Sequence, residues 1–153
     1  MARGAAAGLV GTAAMSALML AAGRVGLLGQ QPPQAIAEHA MRRGGGADPP
    51  APADRVLGIV AHLGFGLSAG GAYALLPRRL PPQVRGCAWG LGIYAASYQG
   101  WVPALGTLPK ASADRRDRVA VIVLAHVVYG SVLARMEEAL SRRAGEVAQR
   151  RRM

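Results

Sequence analysis

Residues 56–77 read VLGIVAHLGFGLSAGGAYALLP, twenty-two positions with no Asp, Glu, Lys or Arg and a single histidine, His62. Crossing about 30 Å of hydrocarbon takes roughly 20 helical residues, so this run is long enough to span a bilayer. Hydrocarbon offers the backbone no hydrogen-bond partner, and a helix is the conformation that supplies its own. Three other charge-free runs flank it: Gly4 to Gly23 (20 residues), Gly86 to Pro109 (24) and Val119 to Ala134 (16). The last is short, but Arg118 and Arg135 at its ends can snorkel to the interface. The pattern predicts an all-α membrane protein with four transmembrane helices, over about 5–28, 56–76, 86–108 and 118–135, with a connector at 29–55. Residues 1–135 form the bundle and 136–153 a basic tail.

The composition agrees. Of 153 residues 52% are hydrophobic and 17% charged, against about 25% charged in an ordinary soluble domain. Mean hydropathy is a modest +0.22 because Ala and Gly dominate the runs. The net charge of +10 does not point to nucleic acid, since base-stacking aromatics are not interleaved with the basic residues. Arginines cluster instead at the edges of the runs, where membrane orientation is set. A single cysteine, Cys87, excludes an intrachain disulfide and reads as a buried, inert thiol. The first run exceeds the 7 to 15 apolar residues usual in a signal peptide, so it is expected to be retained as a span.

In the long connector, Pro32-Pro33 can start a short helix through His39 to Arg43, stopped by Gly44-Gly45-Gly46. Ile36, Ala37, Ala40 and Met41 share one face of it, as expected of a helix lying on the membrane surface. His39 is expected to be solvated. The tail continues span four as an amphipathic helix with Met136, Leu140, Ala144 and Val147 on one side. Its Arg150-Arg151-Arg152 end suits anionic headgroups and equally a plain solubilising role. Four spans place ten basic residues on the side of the N-terminus, second connector and tail, and eight on the other. Both termini are therefore expected in the cytoplasm.

An internal repeat carries most of the functional information. Ala61-His62-Leu63-Gly64-Phe65-Gly66 corresponds to Ala125-His126-Val127-Val128-Tyr129-Gly130. Upstream stand Asp54-Arg55-Val56 and Asp117-Arg118-Val119, where each Asp suits a helix N-terminus. Leu28-Gly29 and Leu105-Gly106 match at the ends of spans one and three. Two tandem hairpins inserted the same way explain all three correspondences. His62 then lies about 9 Å beyond Val56 and His126 about 10.5 Å beyond Val119. Two histidines at matched depth in hydrocarbon are functional candidates. Fastening helices is the plainer role of the pair, with Gly66 and Gly130 admitting a neighbour, and a titrating or ligating role is the alternative. Stripes of small residues, Gly58, Gly66 and Gly70 on one helix and Gly8, Thr12 and Ser16 on another, favour a tight bundle or self-association. Tyr94, Tyr98 and Gln99 in span three, and Tyr129 in span four, complete the candidate residues. Trp89 and Trp101 read as interfacial or packed aromatics.

No phosphate-cradling glycine motif, zinc-ligand spacing, Ser-His-Asp set or paired intramembrane carboxylates occurs. No acid lies within the spans, which argues against ion-coupled transport and leaves histidine as the proton-binding candidate. The sequence therefore predicts a non-enzymatic, accessory or stress-related bundle without a cofactor. A small transporter or proton-conducting pore stays open, as does a bis-histidine haem protein in which Gly66 and Gly130 relieve crowding against the macrocycle.

The succession Gly8-Leu9-Val10-Gly11-Thr12, Gly29-Gln30-Gln31-Pro32-Pro33, the Ala-His-x-x-aromatic-Gly of span two, Gly100-Trp101-Val102-Pro103-Ala104-Leu105-Gly106 and His126-Val127-Val128-Tyr129-Gly130 resembles small bacterial multi-span proteins of the YagU type. The resemblance covers roughly residues 5 to 135. It implies an inner-membrane location and carries over no reaction or catalytic residue.

Overall fold

The computed structural model describes residues 1–29, 32–44 and 51–152. These residues are all-helical, without strands. The helices are α1 (Ala2–Arg24), α2 (Pro32–Arg43), α3 (Ala51–Tyr73), α4 (Pro82–Tyr94), α5 (Val102–Ala104) and α6 (Arg116–Arg150), with a π-helical segment, Ala95–Trp101, joining α4 to α5. Three helices are long and apolar enough to cross a membrane: α1, α3 from Arg55 on, and α6. Residues 82–104 form one further helical rod of comparable length, broken in register by the π segment.

The helices pack in the order α3, α1, α6, α4, with α2 against α3, and the α1/α3 and α4/α6 pairs run antiparallel. Glycine sets this packing. A Cβ at Gly8 would fall 2.2 Å from the Gly66 carbonyl oxygen, and one at Gly86 would fall 2.2 Å from that of Gly130. Both distances are impossible for a side chain, so the backbones of α1 and α3, and of α4 and α6, touch directly. The stripes of small residues are thus consumed within the chain, as expected for close helix approach.

All four rods start a few residues before the expected spans, and α1, α3 and the rod over residues 82–104 also stop a few residues before them. Gly26 (φ 77°) and Gly106 (φ 74°) end their helices in the left-handed conformation. Leu27 N–H donates to the Ala22 carbonyl at 3.0 Å and Thr107 N–H to that of Val102 at 3.3 Å, the bonds of a Schellman cap. A left-handed glycine ends a helix where a charge need not, so apolar residues beyond it belong to the loops. The cap matching Gly106 is accordingly Gly26, and not Gly29 as the sequence alignment has it. Eighteen residues separate Gly8 from Gly26 and twenty separate Gly86 from Gly106. The wider π-helical turns take up the difference, since each admits an extra residue without lengthening the rod.

The α6 helix runs unbroken from Arg116 to Arg150, and Glu137 within it is 4% exposed against α4. Two expectations about the periphery change. The α2 helix forms where expected, but its apolar face turns to the protein. Ala37 is buried, and a Cβ at Gly58 would meet the Pro33 carbonyl oxygen at 3.0 Å. His39 is half-buried and its Nε2 is shielded, without a partner among the described residues, so it is not the solvated side chain expected. The side chain of Asp54 lies outside the described residues. Asp117 stands in the first turn of α6 but does not cap it through its side chain. It pairs with Arg115 and accepts the Arg118 N–H at 2.9 Å.

Candidate functional site: a cleft shared by two histidines

Because Gly66 brings α1 close, Thr12 fills the space a side chain would take there: its Oγ1 is 1.8 Å from the position of a Gly66 Cβ. One turn along, Ser16 then meets the other helix, its Oγ 3.3 Å from Nδ1 of His62. In the second pair the equivalent ring behaves differently. Nδ1 of His126 donates to the Ile122 carbonyl of its own helix at 2.8 Å. The rings of Tyr94 and His126 meet in a T-shaped contact, centroids 5.6 Å apart. Tyr94 in turn stacks on Tyr98 at 5.7 Å. The Tyr98 hydroxyl donates to the Asp114 carboxylate, which also lies 3.5 Å from Nε of Arg118. Tyr129 ties the pairs together: its hydroxyl donates to the Gly66 carbonyl at 3.2 Å, and its ring passes over Gly11 of α1.

These elements line a half-open cleft of about 430 Å³, within the range of about 300 to 1,000 Å³ usual for small-molecule sites. Met15 and Met19 of α1 and Ile122 of α6 line it between Phe65 of α3 and Ile93, Val102 and Trp101 of the third rod. Pro32, Ile36 and Ala37 of α2 cover it. His62 and His126 both line this cavity, with Tyr98, Tyr129 and Gly66. No charged side chain lines it among the described residues. With each Nδ1 engaged, Nε2 is the ring nitrogen left for an occupant.

The other candidates distribute unevenly. Tyr94 acts through its contact with His126 and does not line the cavity, while Gly130 faces Gly86 and Gln99 points out of the bundle. Gly66 and Gly130 are both filled by the neighbouring helix. Among the described residues no three His, Cys, Asp or Glu side chains gather as a metal site. Cys87 is half-buried, with Sγ 3.3 Å from the Ser131 hydroxyl across the α4–α6 contact.

A second polar cluster sits at the opposite end of the bundle and was not legible in the sequence. Arg85 is 6% exposed; its Nε donates to the Tyr73 hydroxyl at 2.9 Å and its guanidinium lies 4.6 Å above the Tyr73 ring. Glu137 receives Arg78 at 2.5 Å and Ser141 at 3.2 Å, and lies 3.5 Å from Arg85. Arg85 reads as one more edge charge, and Glu137 is 52 residues away in the tail. Only their pairing reveals them.

No curated protein and no solved structure matches the chain. A family model does match, over residues 1–147, and the chain belongs to that family of unknown function, DUF6789.

Proposed function

We propose that this chain is a non-enzymatic, four-span protein of the bacterial inner membrane that binds a small apolar molecule in the cleft shared by His62 and His126. The observation carrying this reading is the cleft itself: apolar walls, two histidines with Nδ1 already engaged, and a cover made by the apolar face of α2. Burying an apolar molecule there removes its surface from water or from the disordered bilayer, and a few placed polar groups fix its orientation. The rod over residues 82–104 is the fourth span in this reading. The excess of basic residues at the end holding both termini supports a cytoplasmic placement, and the YagU-type resemblance supports the inner membrane. The two helix pairs with their equivalent glycines and histidines support an internal duplication. The terminal arginines of α6 suit anionic headgroups.

A conducting pore has less support. The cavity occupies one half of the bundle, whereas in the other half Gly4 meets Gly70 and Gly86 meets Gly130 backbone to backbone. The test is photolabelling of the protein in lipid nanodiscs with a small apolar diazirine, read by peptide mass spectrometry. Saturable labelling of the buried lining residues Met15, Met19 and Ile122, competed by excess unlabelled probe, is the expected result. Labelling confined to the outward-facing residues of the spans, without saturation, would reject a binding cleft.

A further inference from the structure

The ring nitrogens carry the chemistry of the occupant further, on the footing of the ligand-binding reading above. Nδ1 of His126 lies 2.8 Å from the Ile122 carbonyl oxygen. A carbonyl oxygen only accepts, so Nδ1 holds the hydrogen. In an uncharged imidazole the other nitrogen then has a lone pair and no hydrogen, and Nε2 can only accept. An imidazolium in this place would be a buried charge with no carboxylate lining the cleft to balance it. His62 is not constrained in this way, because the hydroxyl of Ser16 can either donate or accept.

We infer that the cleft takes a neutral, mainly apolar molecule bearing one hydroxyl or phenol group, which donates its hydrogen to Nε2 of His126 while His62 adapts as the second polar contact. Other classes fit the walls poorly. A carboxylate would lie buried without a Lys or Arg beside it. A ketone or quinone can accept from His62 but offers Nε2 of His126 only a second acceptor, leaving that buried nitrogen unsatisfied at a cost of about 1 to 3 kcal/mol. A metalloporphyrin would bring its carboxylates to a cleft without cations, past glycines already filled by Thr12 and by the Gly86 backbone.

Three probes of similar size separate these classes: 4-octylphenol, 4-octylanisole and 4-octylacetophenone. Each is titrated into protein in nanodiscs, with empty nanodiscs as the partition control, and binding is read from the fluorescence of Trp101, which lines the cleft whereas Trp89 does not. The phenol is expected to bind roughly 3- to 10-fold more tightly than the ether or the ketone, the worth of one net hydrogen bond. The variant His126→Phe is expected to erase that preference while still binding the ether. Should the variant fail to fold, the three-probe comparison on the unaltered protein decides alone. Equal affinity for all three would overturn the donor rule and leave the apolar cleft standing. Absence of saturable binding by any probe would overturn the ligand-binding reading itself. A stoichiometric Soret band on titration with hemin would overturn the inference in favour of a haem site.

Discussion

In the α1/α3 pair the histidine reaches across to its neighbour, His62 to Ser16, whereas in the α4/α6 pair His126 turns back onto the Ile122 carbonyl of its own helix and meets the Tyr94 ring in a T-shaped contact. The backbone contact beneath the two rings is the same, Gly8 on Gly66 in one pair and Gly86 on Gly130 in the other. One scaffold thus presents two rings of different freedom to one cleft: an adaptable one that also fastens two helices, and one whose tautomer is set by its own backbone. The second pair differs again at its far end, where Arg85 and Glu137 are buried together. Nothing equivalent is seen among the described residues of the first pair. The difference teaches that close glycine packing sets the frame, and that the polar groups mounted on it diverge.

The largest way to break the comparison is Glu137→Ala. It leaves Arg85 buried without its carboxylate, which costs about 3 to 5 kcal/mol and should open the α4/α6 pair selectively. Arg78→Ala removes a mostly exposed partner of the same Glu137 and should cost at most about 1 kcal/mol. Unfolding in a denaturing detergent, read by circular dichroism, checks both. Next come Gly8→Ala and Gly86→Ala. Each forces two backbones apart, for about 1 to 3 kcal/mol by overpacking, and the two values should match within experimental error. Gly64→Ala and Gly92→Ala, whose Cβ atoms would meet nothing within 4 Å, are the controls expected to change little. A large gap between Gly8→Ala and Gly86→Ala would show that the pairs are not built alike.

The histidines sharpen the comparison on a smaller scale. His62→Ala removes an interhelical hydrogen bond worth about 0.6 to 2 kcal/mol in a membrane. His126→Ala removes a bond within one helix and should separate the pairs less, a difference that cysteine cross-linking rates between paired helices would report. The smallest effect is at Asp117. Its carboxyl is held below the ordinary carboxylate range by the hydrogen bonds from Arg115. A lowered folded value means that its contribution is present above the unfolded value of about 3.9. It is lost only as pH falls through the lower folded one. Asp117→Asn should therefore cost a small amount of stability at neutral pH and flatten that part of the acid unfolding curve, the two proteins becoming equally stable once pH falls below the folded value.

Much of the architecture is legible without coordinates because lipid imposes a coarse rule. Runs without charge must be helices, and His62 and His126 stand out as polar groups within them. Their sharing of one cleft also follows from matched depth on the two helix pairs. Helix ends were displaced because left-handed Gly26 and Gly106, not Arg or Pro, stop the chain. The cover role of α2 was hidden because an apolar face looks the same whether it meets lipid or protein. The π segment leaves no mark in hydrophobic periodicity, and the pairing of Arg85 with Glu137 depends on a contact across 52 residues. Tyr94 and Gln99 could not be sorted by spacing alone: one touches His126, and the other faces outward.

The account stands most directly on the state of two ring nitrogens, which ¹⁵N NMR of histidine-labelled protein in nanodiscs measures. His126 should show a hydrogen on Nδ1 and a bare Nε2, and addition of 4-octylphenol should shift Nε2 of both His62 and His126 while leaving His39, which does not line the cleft, unmoved. A hydrogen on Nε2 of His126, or a ligand response confined to one of the two rings, would contradict it.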